Sequence, residues 1–324
     1  MLADDRPGNV NQALGVAEAL GWPFERKEIR YGPLARLPNA LLGASTLGLT
    51  AASRAGLRPP WPELVIAAGR RAAPVARWRK RRRRPHAAEG GSFLVQLMWP
   101  GSARPDLDLI AVPEHDDPPR RPNVLATLGA PHRVTPERLA AAAGALAPRL
   151  AGLPRPRIAC LVGGASRHAA FTRGDAAELG RRASALARHA GGSLLVTTSR
   201  RTGTAATAAL LAAIDVPAFV HRWTPDGDNP YLGLLGAADA VIVTADSSSM
   251  VSEACATGRP VYLFTPAAGA APKHARLHRR LAELGHLRPL GDGGAPFTTE
   301  GRPPLNPATA VADAIRERLL AKAG

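Results

Sequence analysis

The residues best placed to do chemistry stand in three short loops, each directly after an apolar run. In Val243-Thr-Ala-Asp-Ser-Ser-Ser-Met-Val-Ser-Glu253 a strand gives way to a turn holding Asp246, Ser247, Ser248 and Ser249, and a helix begins near Ser249. In such a strand-turn-helix unit the free amides and the positive end of the helix dipole converge above the sheet, and the serines add hydroxyl donors. That combination suits a phosphate. Glu253, one turn into the helix, faces the same crevice, where a carboxylate accepts hydrogen bonds from ribose hydroxyls. The same residues serve equally well as a helix cap and a dipole complement. In Cys160-Leu-Val-Gly-Gly-Ala-Ser-Arg-His168, Gly163 and Gly164 follow a strand and let the backbone approach a ligand, with Ser166, Arg167 and His168 as donors. The third loop, Val196-Thr-Thr-Ser-Arg-Arg-Thr-Gly203, sets Ser199 beside Arg200 and Arg201, whose guanidiniums match phosphate oxygens bidentately. Each loop alone is compatible with a plain turn. Together they fall at the carboxyl ends of strands in one parallel sheet, where such sheets bind ligands.

A second group lies nearer the start of the chain. Asp4-Asp-Arg-Pro-Gly-Asn-Val-Asn-Gln12 precedes a helix that ends at Gly21; Gly8 permits a tight turn, and Asn9, Asn11 and Gln12 line the helix start. A simple capping loop accounts for them equally. Val112-Pro-Glu-His-Asp-Asp117 follows another strand, and Glu114, His115 and Asp116 offer a general base or merely a mixed-charge surface loop. No metal site is expected. His274 and His278 have helical ligand spacing, but Lys273, Arg276, Arg279 and Arg280 around them repel a divalent cation. Asp106 and Asp108 read as strand alternation, and Asp226 and Asp228 as a turn.

The elements that must carry these loops follow from hydrophobic patterning. Short apolar runs at Leu64–Gly69, Phe93–Met98, Leu107–Val112, Ile158–Val162, Ser193–Thr197, Ala240–Thr244 and Pro260–Phe264 alternate with Ala-rich amphipathic stretches. Near-continuous apolar strands are buried on both faces, the mark of parallel sheets covered by helices. The class is α/β, with two Rossmann-like parallel-sheet domains. Gly152-Leu-Pro-Arg-Pro156 separates a helix over 136–150 from a fresh strand, which places the domains at 1–152 and 153–324. A last helix over 307–323, with Asn306 as cap and Pro307 at its first turn, is able to cross back to the first domain.

Composition excludes several classes. The chain has 324 residues with 42 Lys plus Arg, 26 Asp plus Glu and a formal charge of +16. Its 2 cysteines make neither a disulfide framework nor a four-thiolate zinc site, and they read as buried thiols of a reducing compartment. The acidic start lacks a signal peptide's pattern, and no apolar run reaches the ~20 residues of a membrane span. A cytoplasmic location is expected. The stretch from Arg70 to Arg84 holds nine basic residues and no acid. It can lie on anionic lipid at the inner face of a membrane, and a solvated basic face accounts for it as well. Without interleaved aromatics or a binding motif, no specific nucleic acid is expected.

Asp4–Gln12, Pro113-Glu-His-Asp116, Thr197-Thr-Ser-Arg-Arg201, Asn229-Pro-Tyr231 and Val243–Ala254 together resemble the ELM family of mitochondrial fission proteins and their bacterial relatives, over nearly the whole chain. The resemblance implies a GT-B-like architecture, two Rossmann-like halves facing a cleft, similar to nucleotide-sugar glycosyltransferases. It implies a transferase that takes a glycosyl group from a nucleotide diphosphate sugar to an acceptor, most simply a lipid-linked one, and it adds Asn229 and Tyr231 to the nucleotide side. Asp4, Asp5 or His115 would then take the acceptor proton. The donors listed above would stand in for a metal, and no cofactor beyond the sugar donor is expected. The alternative is a non-catalytic adaptor that recruits partners at a membrane. A nucleotide-sugar epimerase or other Rossmann enzyme is disfavoured, because no dinucleotide fingerprint is present and none of Tyr31, Tyr231 and Tyr262 has Lys four residues on. Only Met1, Leu2 and Ala3 precede Asp4, so a full first strand is missing, through start-site choice or through loss.

Overall fold

The computed structural model describes residues 1–82, 91–101, 105–166, 170–291 and 297–323, with side chains to 321. Two compact units emerge: Met1–Arg133 with Asn306–Gly324, and Val134–Leu305.

In the first unit the order is β1 (Leu2–Ala3), α1 (Pro7–Leu20), β2 (Lys27–Glu28), α2 (Asn39–Leu42), α3 (Ala51–Ala55), β3 (Leu64–Ala68), α4 (Ala73–Lys80), β4 (Phe93–Leu97), β5 (Leu109–Pro113) and β6 (Val124–Thr127). Strands β3-β4-β5-β6 form a parallel sheet in that order, and β1 pairs in parallel with β2. The missing first strand is thus a short strand of two residues. Pro7 opens α1 at a position where its lack of an N–H costs nothing, and Gly21 ends it in the left-handed conformation.

The second unit continues with α5 (Pro136–Leu146), β7 (Arg157–Val162), α6 (Arg173–His189), β8 (Ser193–Thr198), α7 (Thr204–Ala212), β9 (Ala218–His221), α8 (Tyr231–Ala237), β10 (Ala240–Thr244), α9 (Ser248–Cys255), β11 (Val261–Phe264), α10 (Pro272–Glu283) and β12 (Arg288–Pro289). Its parallel sheet runs β9-β8-β7-β10-β11-β12. Counted from β7 this is the 3-2-1-4-5-6 order of dinucleotide-binding folds, and the direction of winding reverses between β7 and β10. Ile158, Leu161, Val241 and Ile242 are wholly buried. Removing each such side chain from water contributes about 1.5–3 kcal/mol.

One domain expectation changes. The boundary lies between Arg133 and Val134 rather than at 152, because α5 belongs with α8. A Cβ on Gly236 would stand 2.2 Å from the Leu139 carbonyl oxygen and one on Gly233 2.9 Å from that of Ala142, so these glycines let the two helices touch backbone to backbone. The last helix, α11 (Pro307–Ala323), belongs to the first unit. Its Ala308, Val311, Ala312 and Ile315 share a core with Ala13, Val16, Ala17 and Leu20 of α1. Arg316 donates to the Ala19 and Leu20 carbonyls at the end of α1, at 2.9 and 3.0 Å. Asn306 caps α11 by accepting the Thr309 amide at 3.2 Å.

Candidate functional site

In the second unit the three Gly- and Ser-bearing loops come together where β7 and β10 lie side by side. β8 and β10 end on the hydroxylated Thr198 and Thr244, and β7 is followed at once by Gly163, which leaves room for the loops to cross. Thr244, at the end of β10, accepts the Gly163 amide at 2.8 Å and donates to Asp246 at 2.6 Å. The Asp246 carboxylate is 4% exposed; it accepts the Gly164 amide at 3.2 Å and the Arg201 guanidinium at 2.7 Å. Thr202 and Ser199 both donate to the Gly163 carbonyl, Thr202 at 2.6 Å. Added Cβ atoms show how tight the knot is. On Gly163 a Cβ would sit 2.2 Å from an Asp246 carboxylate oxygen, and on Gly164, at φ +143°, 2.2 Å from the Arg201 carbonyl oxygen.

This alters the expected roles. Gly163 makes space for a carboxylate of the chain itself and Gly164 for the Arg201 backbone, and their amides are already taken. Arg201 is paired to Asp246, while the exposed Arg200 has no ion-pair partner among the described residues. Ser166 is half-buried beside the knot; Arg167 and His168 lie outside the described residues. Thr202 and Thr244, which the sequence reading passed over, hold the knot together. Their signal was a hydroxyl at a strand's carboxyl end.

Beside the knot α9 begins. Ser247 caps it by accepting the Met250 amide at 3.3 Å, and Ser248 and Ser249 open its first turn half-buried. One turn on, Glu253 accepts the Tyr231 hydroxyl at 2.7 Å through Oε2, and its Oε1 has no partner among the described residues. Burial pushes the Glu253 carboxyl up, against the pull of the Tyr231 hydrogen bond. Burial also raises Tyr231 well above the usual phenol value, helped by the neighbouring carboxylate. Asn229 orients the start of α8 by accepting the Tyr231 amide at 3.1 Å. The unit therefore presents, in sequence along one edge, an unpaired guanidinium, a helix N-terminus with hydroxyls and a carboxylate held by a phenol.

In the first unit Asp4 accepts from the Asn9 side chain at 2.7 Å and from the Arg6 amide at 2.9 Å. Asp5 pairs with Arg71, whose guanidinium stacks on Tyr31 at 4.3 Å. Gly8 and Asn11 are exposed, and Gln12 is buried. His115 is buried in a short turn after β5. The structure thus joins Asp4 to Asn9 and draws in Tyr31 and Arg71, neither of which the sequence reading placed at this loop.

The basic stretch is largely turned inward. Arg70 donates to the Leu37 carbonyl and to Asn39, Arg77 holds Asp106 at 2.7 Å, and Lys80 pairs with Asp108. Arg79 is 4% exposed and stacks on Trp61. Arg81 and Arg82 are exposed, Arg82 over Trp78 at 4.7 Å, and Arg83 and Arg84 lie outside the described residues. Of the nine basic residues, Arg71, Arg77 and Lys80 are thus ion-paired and Arg79 is buried, while Arg70, Arg81 and Arg82 are exposed. Asp106 and Asp108, just before β5, are the anions of Arg77 and Lys80 rather than alternating strand residues.

Among the described residues no cluster of three or more His, Cys, Asp or Glu is arranged to hold a metal, and no helix is long and apolar enough to cross a membrane. Cys160 and Cys255 are buried and unpaired, and burial pushes both thiols up to about 12.

Known proteins share this plan. The mitochondrial fission protein ELM1 of Arabidopsis thaliana is 29% identical over 306 residues, covering 87% of this chain and 70% of the relative. The uncharacterized protein RP120 of Rickettsia prowazekii is 25% identical over 98% of this chain and 97% of its own. Among solved structures, the UDP-GlcNAc 2-epimerase of Methanocaldococcus jannaschii superposes with a TM-score of 0.51 at 10% identity, over 98% of both chains. That likeness carries the fold, which is of the GT-B type. The family model described as mitochondrial fission ELM1 matches residues 7–319, and the chain belongs to that family.

Proposed function

We propose that the second unit binds a nucleotide diphosphate sugar and that the protein is a GT-B-type transferase, passing the glycosyl group to a lipid-linked acceptor served by the first unit. The observation that carries the reading is the Tyr231–Glu253 pair, one turn beyond a hydroxyl-rich helix start at the sheet's switch point. Phenol and carboxylate fix each other, leaving Glu253 Oε1 to accept from a ribose diol. The diphosphate lies against the first turn of α9, where Ser247, Ser248 and Ser249 donate and Arg200 supplies a full positive charge. As the bond to the sugar breaks, charge grows on the diphosphate, and donors already in place stabilise it without a metal. Arg201, the second guanidinium, is held by Asp246, which competes with the diphosphate for it. On the acceptor side, Asp4 is half-buried and oriented by Asn9, whereas Asp5 is held by Arg71 and His115 is buried. Asp4 is therefore the proton acceptor of choice.

Calorimetric titration of the full chain with UDP, GDP, CDP and ADP in the presence of a chelator tests the reading. One of them binds, and Glu253→Ala and Arg200→Ala each weaken it at least tenfold. Absence of binding by all four to folded protein contradicts it.

A further inference from the structure

A cavity in the first unit has no part in that chemistry. It encloses about 870 Å³, and every residue lining it belongs to the first unit. Met1, Lys27 and Leu64, at the starts of β1, β2 and β3, place it at the amino edge of the strands, while Asp4 and Arg71 follow their carboxyl ends. The end of α1 and the last turns of α11 form the remaining walls. The volume falls in the upper part of the range of about 300–1,000 Å³ typical of small-molecule sites.

Its chemistry is sorted by depth. The buried part presents Leu2, Ala17, Leu20, Val65, Ile66 and Val75, side chains of hydrocarbon, together with one buried cation, Arg79, whose guanidinium lies over Trp61. Toward the surface stand aromatic and aliphatic groups that remain in water: Trp22 at 43%, Phe24 at 45% and Leu320 at 75% exposure. Trp61 is braced, edge-on to Trp78 at 6.2 Å and under the Arg79 guanidinium at 4.2 Å. The charged groups are mostly committed elsewhere: Lys27 pairs with Glu25 at 2.6 Å, and Arg316 serves α1 and Asp313. Arg58 differs. It is exposed at the rim, its Nε donates to the Ala55 carbonyl at 2.7 Å, and its two Nη groups have no partner among the described residues. A ligand that fills this space must be apolar along most of its buried length, since the buried lining is hydrocarbon apart from Arg79, which is stacked on Trp61. Where it emerges, it meets an unpaired guanidinium, which matches a carboxylate or phosphate.

We propose that this cavity is a binding site for a single-chain amphiphile, its hydrocarbon tail between α1, α11 and the 57–64 segment and its anionic head on Arg58. The inference is independent of the nucleotide reading, since the two use residues of different units. The site takes its ligand from the exposed apolar rim formed by Trp22, Phe24 and Leu320.

The test is titration of the full chain with dodecyl phosphate below its micellar concentration, followed by calorimetry, tryptophan fluorescence and thermal unfolding. Dodecanol serves as the neutral control and dodecanoate as the carboxylate form of the head. Binding saturates at one dodecyl phosphate per chain and raises Tm, because a ligand of the native state stabilises it. Leu57→Trp, at a half-buried wall position, fills the cavity and abolishes binding. Arg58→Glu weakens dodecyl phosphate at least tenfold and leaves dodecanol within twofold. Trp22→Leu, at an exposed position that the fold tolerates, removes most of the fluorescence change and localises the ligand. A lowered Tm, no saturable binding by folded protein, or binding that survives either Leu57→Trp or Arg58→Glu unchanged overturns the proposal. Equal affinity for dodecanol and dodecyl phosphate overturns the assignment of the head. If dodecyl phosphate and dodecanoate bind alike, the head is any compact anion; if only the phosphate binds, the ligand is a phosphate monoester.

Discussion

The carboxyl edges of the two parallel sheets are built from similar loops and differ in what their polar groups do. In the second unit Thr244, Asp246, Gly164, Ser199, Thr202 and Arg201 satisfy one another in a closed network. In the first, the hydroxyl of Tyr31 and the side-chain carbonyls of Gln12 and Gln96 are buried with no hydrogen-bond partner among the described residues. A buried group left unpaired costs about 1–3 kcal/mol, and native proteins keep few of them. The closed edge holds its shape without a ligand; the open edge carries acceptors and a donor that a ligand's hydroxyls would satisfy. This difference suits a donor site that is pre-formed and an acceptor site completed on binding.

The largest expected effect breaks the closed edge by force. Gly163→Ala drives a methyl into the Asp246 carboxylate and lowers stability by about 3 kcal/mol in chemical denaturation. Its counterpart in the first unit, Gly8→Ala, meets nothing within 4 Å and stays within about 0.5 kcal/mol of the parent. Equal losses would show that the two edges do not differ in the way described.

Next comes Asp246→Asn. The amide cannot accept from Thr244, Gly164 and Arg201 together, so stability falls by about 1–3 kcal/mol. Arg201 is released by the same change, and affinity for the nucleoside diphosphate rises. If affinity falls instead, the carboxylate positions Arg201 for the ligand rather than competing for it.

A smaller effect is read against pH. The Glu253 carboxyl is raised in the folded chain, so folding favours its protonated form: its contribution to stability is complete below the unfolded value near 4.5 and is lost as pH rises through the raised one. Glu253→Gln removes this dependence and leaves the protein more stable than the parent at neutral pH. Ribose recognition runs the other way, because the ionised carboxylate is the better acceptor. Nucleotide affinity therefore increases with pH over the same interval in the parent and is flat in Glu253→Gln. The least effect belongs to the open edge, where Tyr31→Phe deletes an unpartnered hydroxyl and leaves thermal stability unchanged or slightly higher.

Much of this was legible in the sequence wherever one local pattern sufficed. Strands buried on both faces are continuous apolar runs, so β3, β4, β7, β8, β10 and β11 could be read directly. Lys27–Glu28 and Arg288–Pro289 have no such pattern; they are strands because a neighbour supplies the pairing. The boundary at 134 was hidden because the contact between α5 and α8 depends on two glycines nearly a hundred residues from their partners. The Ser-rich turn at the start of α9 and the place of Glu253 one turn beyond it were recognisable from the strand-turn-helix pattern. The occupation of the Gly163 and Gly164 amides by Thr244 and Asp246 was not, since a loop sequence names donors without saying which acceptor takes them. The basic stretch is a similar case: charge is visible in sequence, whereas the pairing of Arg77 with Asp106 and of Lys80 with Asp108 is a property of packing. The cavity, assembled from five separate segments, left no local signal at all.

The most direct measurement is amide hydrogen exchange of the full chain with and without saturating UDP or whichever nucleoside diphosphate binds. The account predicts slowed exchange at residues 246–253 and in the loop after β8, with the first unit unchanged. Protection confined to the first unit, or none anywhere at saturating nucleotide, contradicts it.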